Sequence, residues 1–227
     1  MEFFEVIDRR RSVRKYTSKP VPEEVMRRAV DAALRAPNSS NMQTWRFCWV
    51  KSLDKKKALA EACLNQTAAR TAQELVVAYV SPRQWAKTQK EILKALDPSL
   101  PLQVRDYYKK LMPFLYGFRF LAPVKWFLFN VAGLFRPTPR KPWSGRDIDE
   151  VCIKSSALAC ENFMLAIAAQ NFDTCPMEGF DECRVKKILG LRYSDRVVMV
   201  ISVGERAADG VWGSQFRLPR DMVFREL

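Results

Sequence analysis

The chain has 227 residues, of which 48% are apolar and 28% charged, and this suits one folded domain with a full hydrophobic core. It contains no histidine, which excludes Ser-His-Asp and Cys-His nucleophilic catalysis and His-ligated metals, and we predict no metal site. Such an enzyme must use carboxylates, backbone dipoles or a cofactor, and the net charge of +13 favours anionic ligands.

Hydrophobic periodicity predicts regular elements along the first 80 residues. These are helices at 2–9, 23–35 and 54–64 and strands at 45–50 and 75–80. The continuous apolar character of 75–80 indicates a sheet covered on both faces. The charged N-terminus has no signal-peptide pattern, so we expect a cytoplasmic protein.

The remainder of the chain divides into four predicted parts. They are an insertion at about 83–146, a long helix rich in small residues at 149–171, a strand at 196–204 and an extended arm at 205–227. Six cysteines are present without a C-x-x-C pair, and we interpret them as reduced and structural.

The insertion is basic and aromatic. Residues 105–146 hold nine basic residues and one acidic residue, and 111–135 holds eight aromatic residues in 25. The latter is long enough to span a bilayer, but two prolines and the charges of Arg119 and Lys125 argue against a spanning helix.

The densest basic cluster follows the first helix, at Arg9–Lys15. Guanidinium groups and a hydroxyl supply the paired donors that a phosphate requires. On charge alone, a solvated helix end is the better interpretation, because basic side chains favour the C-terminal end of a helix dipole.

Four motifs with a matching order and spacing favour the phosphate-binding interpretation of this cluster. They are Arg10–Arg14 (RRSVR), Ala36–Phe47 (APNSSNMQTWRF), Cys175–Phe180 (CPMEGF) and Arg217–Pro219 (RLP). Together they resemble the nitroreductase superfamily, whose pattern is R-R-S-x-R followed by A-P-S-S-x-N-x-Q-P-W-x-F. The departures from that pattern include Asn38 for serine, Thr44 for proline and Gln215 for a second C-terminal cation.

The resemblance implies a set of FMN-binding residues. Those for the phosphate and ribityl chain are Arg10, Arg11, Ser12, Arg14 and Arg217. Those in a loop that reaches the flavin from the partner subunit are Asn38, Ser39, Asn41 and Gln43. Those at the isoalloxazine ring are Asn65, Pro176, Met177, Glu178 and Gly179, with a backbone N–H of Glu178 or Gly179 directed at N5.

Two of these roles have structural alternatives. Asn65 is also suited to cap a helix end, and we weigh the two roles equally. The Glu178 carboxyl is a candidate proton donor, although in the family the backbone of this position acts. A backbone N–H at N5 supports negative charge without a titrating residue, which explains how a chain without histidine can be an enzyme.

The aromatic insertion has three interpretations. In the first, it is a lid and dimer clasp that forms an apolar pocket for the acceptor. In the second, it is an interfacial membrane anchor. In the third, it is part of the hydrophobic core. The pocket would be built by Phe114, Tyr116, Phe118, Phe120, Trp126 and Phe127.

We therefore predict one α+β domain over residues 1–227, with a mixed, mainly antiparallel sheet flanked by helices, in an intertwined homodimer. The resemblance implies hydride transfer from NAD(P)H through bound FMN to a nitroaromatic, quinone or activated alkene. The eight glycines form no G-x-G-x-x-G dinucleotide motif, so we expect NAD(P)H to bind transiently and the kinetics to be ping-pong. The alternatives are a membrane-surface quinone reductase anchored by 111–135, a flavin-consuming enzyme like dimethylbenzimidazole synthase, and a basic nucleic-acid-binding protein.

Overall fold

A four-stranded antiparallel sheet forms the centre of the protein, in a computed structural model that describes residues 2–227. Its strands, in the order β1-β2-β4-β3, are β1 (Trp45–Val50), β2 (Glu74–Val80), β3 (Asp173–Met177) and β4 (Arg196–Gly204). β1 and β3 are therefore the edge strands. Pro176 lies in β3, where an edge position tolerates a residue that lacks an N–H group.

Ten α-helices surround this sheet among the described residues. They are α1 (Phe3–Arg9), α2 (Glu23–Leu34), α3 (Leu53–Ala62), α4 (Thr67–Thr71), α5 (Trp85–Ala95), α6 (Leu102–Asp106), α7 (Ala122–Ala132), α8 (Gly145–Ala169), α9 (Glu182–Leu189) and α10 (Arg220–Val223). A capping box between Ser144 and Asp147 fixes the start of α8.

Both faces of the sheet are covered by helices. Buried side chains of α2 and α8, including Phe163, pack with Val76 and Ile201 on one face. Side chains around α3, α4 and α9, including Leu59, pack with Val77 on the other. This three-layer arrangement is why the central strands are apolar along their whole length.

The structure confirms the α+β class and the three predicted strands, and it adds β3, which the sequence did not reveal. The sheet is more regular than predicted, since its four strands pair only antiparallel. The parallel contribution is a single bridge between Ser12 and Thr174.

The insertion is helical throughout much of its length. α6 continues into two π-helical turns, Tyr107–Leu111 and Pro113–Gly117, and α7 follows. Beneath the first part lies a third core cluster, in which Met112 and Tyr116 pack with Met42 and Ile148.

Within residues 2–227, one helix, α8, is long and apolar enough to cross a membrane by length and composition. About half of this helix is buried, and that half packs along α2 and against the sheet.

Phe163 tests the three-layer core. Its side chain is fully buried, and its ring stacks on Phe47 with centroids 6.5 Å apart. Phe163→Ala should lower the free energy of unfolding by about 3–5 kcal/mol in urea titrations of flavin-free protein, because it leaves a cavity. The control Leu53→Ala, at an exposed position, should change it by about 0.5 kcal/mol or less. A loss below about 1 kcal/mol at Phe163 would contradict this packing.

Candidate functional site

The arginine cluster lies in extended backbone after α1 ends. Successive side chains of an extended segment point to opposite sides, so Arg10, Ser12 and Arg14 share one side. Val13, between them, is fully buried in the core beneath the sheet. The apolar residue therefore anchors the segment while its polar neighbours face a cavity.

Two backbone hydrogen bonds hold this segment in place. The Val13 N–H donates to the Thr174 carbonyl of β3 (2.9 Å), and the Arg14 N–H donates to the Gly210 carbonyl (2.7 Å). A Cβ on residue 210 would lie 2.5 Å from the Lys15 carbonyl oxygen, so glycine is needed for this close approach. The chain end is thereby brought back beside the N-terminal arginines.

Between the two segments lies a cavity of about 310 Å³. Its lining comes from both ends of the chain, namely Arg10, Arg11, Ser12 and Arg14 with Val211, Trp212, Ser214, Gln215, Phe216 and Arg217. The structure thus brings together all five residues predicted to hold the phosphate. Gln215 also faces the cavity, at the position where a second C-terminal cation is common in the resembled family.

The cavity is strongly cationic. Arg10 lies 3.7 Å from the Glu161 carboxylate, which is half exposed. The other contacts are neutral: Arg11 donates to the Gly213 carbonyl (3.1 Å), and the Arg14 guanidinium lies 4.4 Å from the centre of the Trp212 ring. Four guanidinium groups beside one hydroxyl match the donor set that a phosphate dianion requires.

The end of β3 forms a second part of the candidate site. The Gln66 side chain donates to the Gly179 carbonyl (2.7 Å), the Phe180 N–H donates to the Glu178 carbonyl, and the Asp181 N–H donates to Ala62. None of these described bonds uses the N–H of Glu178 or of Gly179. Pro176 and Met177 precede this turn in β3, so the four predicted residues are contiguous at the edge of the sheet.

Gln66 was not predicted from the sequence. Its neighbour Asn65 is exposed, has a positive φ of 54°, and donates its N–H to the Ala60 carbonyl, which places it in the turn that ends α3. A glutamine that precedes a short helix has no distinctive sequence signal. Its contact with Gly179 depends on tertiary packing that brings the start of α4 to the turn after β3.

The predicted partner-reaching loop lies elsewhere on the chain. Asn41 and Gln43 line a different cavity, of about 530 Å³, beside α5 and Tyr108. The Asn38 side chain accepts from the Gln43 N–H (2.9 Å), and the Ser39 N–H donates to the Ser155 hydroxyl. The loop is thus held both by its own amides and by the Ser155 hydroxyl of α8, with positive φ at Asn41 and Gln43.

The six aromatic residues predicted to form one acceptor pocket do not converge within the described chain. Tyr116 is buried in the third core cluster, and Phe114 packs on Phe129. The remaining four, Phe118, Phe120, Trp126 and Phe127, are exposed. The structure places Tyr116 in the core and not in an open pocket, because its ring packs with Met112 and Ile148.

Comparison with known protein families identifies the family of this chain. The model of the nitroreductase family matches residues 7–205. The chain belongs to the nitroreductase family. This membership, together with the names of its relatives, supports an oxidoreductase.

Relatives and solved structures match this nitroreductase over nearly its whole length. A Thermus thermophilus protein named NADH dehydrogenase is 26% identical, covering 96% of this chain and 93% of its own. YdgI of Bacillus subtilis, assigned as an NAD(P)H nitroreductase, is 26% identical over 98% of this chain and 96% of its own. A protein of Exiguobacterium sibiricum assigned as a nitroreductase and solved in complex with FMN superposes with a TM-score of 0.72, at 24% identity, covering 100% and 98%.

The cysteines of this nitroreductase lie mostly in the core. Burial raises the pKa of the Cys63 thiol to about 11 and that of Cys160 to about 12, so both are neutral at pH 8. Cys175 is also buried, and burial raises the pKa of its thiol although Arg14 and Arg10 lower it. Cys183 is exposed.

These environments predict the order of thiol reactivity. At pH 8, a disulfide reagent such as Ellman's should modify Cys183 first in the native protein, and Cys183→Ser should remove that fast phase. Cys63 and Cys160 should react only on unfolding, because protonated buried thiols are poor nucleophiles. Rapid labelling of Cys63, measured by peptide mass mapping, would contradict the structural role.

Proposed function

We propose that this protein is an FMN-dependent NAD(P)H oxidoreductase that reduces a nitroaromatic, a quinone or an activated alkene. The observation that carries the proposal is the cationic cavity where Arg10, Ser12 and Arg14 meet Arg217. These residues would hold the FMN phosphate by charge-assisted hydrogen bonds. The cavity also suits a small anion better than duplex nucleic acid, because the arginines line a recess instead of an exposed stripe.

The edge of β3 suits the flavin ring. The Thr174 carbonyl, which accepts from Val13, points to the outer edge of the strand. Backbone groups of alternate residues in a strand point the same way, so Pro176 faces that edge as well. The Glu178 and Gly179 N–H groups follow it and would donate to N5, while Gln66 holds the turn through the Gly179 carbonyl.

We further propose that the active form is a homodimer. The Asn38–Gln43 loop and the arginine cavity are separate within one chain, so a second copy is needed to bring the loop amides to the flavin. The exposed apolar side chains of a single protomer agree with this. They lie on α1 (Phe3, Phe4), on α8 (Leu158) and along the C-terminal arm (Trp212, Phe216, Leu218, Met222, Phe224).

The bound flavin would supply the hydride chemistry, accepting from NAD(P)H and passing two electrons to the acceptor. The chain's own groups would bind and orient the flavin and neutralise its charge, since backbone N–H groups stabilise a reduced ring without a titrating side chain. In the absence of a dinucleotide motif, NAD(P)H and the acceptor would occupy the same space in turn. The flavin-consuming alternative predicts loss of FMN after reduction in air, whereas this proposal predicts its full recovery by chromatography.

Arg14→Glu tests the phosphate site. The substitution replaces a donor with a like charge, so FMN affinity measured by fluorescence quenching should fall by at least about 100-fold. The control Arg28→Glu, on the exposed face of α2, should retain full affinity. Unchanged FMN loading of the folded Arg14 variant would overturn the assignment.

Steady-state kinetics test the sharing of one site. Double-reciprocal plots with varied NAD(P)H at several acceptor concentrations should give parallel lines, because each substrate must leave before the other binds. Intersecting lines would demonstrate a ternary complex and would contradict this part of the proposal.

A further inference from the structure

Helix α7 presents its apolar residues outward. Val124, Phe127, Leu128 and Val131 recur at the i, i+3, i+4, i+7 spacing of one helical face, and each is 40–60% exposed. Trp126 adds a second exposed aromatic ring beside this stripe. A helix at the surface of a water-soluble protein has the opposite arrangement, with its apolar stripe facing the core.

The charged residue of α7 is turned inward. Lys125 is 2% exposed, its amine donates to the Phe114 carbonyl oxygen, and it lies 4.6 Å from the centre of the Phe114 ring. Burial lowers the pKa of this amine. Burying a lysine while exposing phenylalanine, leucine and tryptophan is unfavourable in water, so the outward face fits an apolar medium.

The surroundings of the helix are basic. Residues 107–146 contain eight basic residues and no aspartate or glutamate. Lys110 and Lys141 pair with Asp106 and Glu150 just outside this segment, and Lys125 is buried, which leaves five other basic residues to supply its excess of positive charge. Arg136, just beyond the end of α7, is exposed, and Arg140 donates to the Gly133 and Asn130 carbonyls at that end. An apolar stripe beside a segment with this excess of cations is complementary to an anionic surface.

The length of α7 determines how it meets that surface. Its eleven residues span about 16 Å, roughly half of the ~30 Å hydrocarbon core of a bilayer. The helix is therefore suited to lie in the plane of the interface, with its aromatic side chains among the headgroups. A second copy of the chain is a poorer occupant, because two such cationic segments would repel each other.

We propose that α7 and its basic flanks form a docking surface for anionic phospholipid membranes. The helix lies flat on the bilayer, Val124, Phe127, Leu128 and Val131 enter the acyl boundary, and Arg136 meets lipid phosphates. This interaction is independent of flavin binding, since the arginine cavity lies elsewhere in the fold.

Vesicle co-sedimentation tests the docking surface. The FMN-loaded full chain is mixed with vesicles of equal parts phosphatidylglycerol and phosphatidylcholine, and in parallel with phosphatidylcholine alone. It should sediment with the anionic vesicles at low ionic strength, and the bound fraction should fall at least about tenfold at 0.5 M salt or on neutral vesicles. Absence of sedimentation with anionic vesicles at low salt would overturn the proposal.

Paired variants separate the stripe from general surface effects. Phe127→Ser with Leu128→Ser should reduce binding about tenfold or more, because apolar area is lost. The control pair, Leu100→Ser with Leu102→Ser, removes two exposed leucines from the same insertion and should bind as the unmodified chain does. If the two double variants bind vesicles equally well, α7 is not the membrane contact. The same conclusion follows if the α7 double variant dissociates an oligomer in the absence of vesicles.

Arg14→Glu distinguishes this proposal from the flavin assignment. It should bind anionic vesicles as the unmodified chain does, even when it has lost FMN. Parallel loss of vesicle binding and flavin in this variant would show that docking depends on the flavin site and would contradict an independent surface.

Discussion

The placement of Arg10–Arg14 between β3 and the returning chain end is the constraint on which the rest of the site depends. Val13 is buried, its N–H is bonded to Thr174, and the N–H of Arg14 is bonded to Gly210. These contacts fix the backbone, and the side chains of Arg10, Ser12 and Arg14 line the cavity. Four guanidinium groups then lie close together with one half-exposed carboxylate beside them. Such crowding of like charges favours the entry of an anion, which is the physical basis of the proposed phosphate site.

Local patterns of the sequence were enough to predict much of this arrangement. The long apolar strands β2 and β4 and the small-residue helix α8 follow from periodicity, because burial on two faces imposes continuous hydrophobicity. The arginine motif and Arg217 could be paired only through resemblance to a family. No local signal shows that residues 14 and 217, about 200 positions apart, meet.

Other features depend on the tertiary structure. β3 was missed because it is five residues long and contains Pro176, which disfavours a strand except at an edge. The role of Gln66 follows from the approach of α4 to the Gly179 turn. Tyr116 was assigned to a pocket together with the other aromatic residues of the insertion, but it lies in a π-helical turn and packs in the core. Side-chain composition does not reveal a change of helix type.

Two long apolar segments of the chain have opposite environments. α8 has the composition of a membrane-spanning helix and lies in the core between α2 and the sheet. α7 is too short to span a bilayer, but its apolar side chains face outward and its lysine faces inward. Composition alone therefore does not show which of the two helices presents an apolar face to its surroundings, and the direction in which the side chains point does.

The central claim is that the arginine cavity recognises a phosphate, and the most direct measurement compares FMN with riboflavin, which has the same ring and no phosphate. In equilibrium titrations of flavin-free protein, we expect FMN to bind at least about 100-fold more tightly than riboflavin at low salt, with the difference shrinking as ionic strength rises. Equal affinities for the two flavins would contradict the account, because the guanidinium groups would then contribute nothing to recognition.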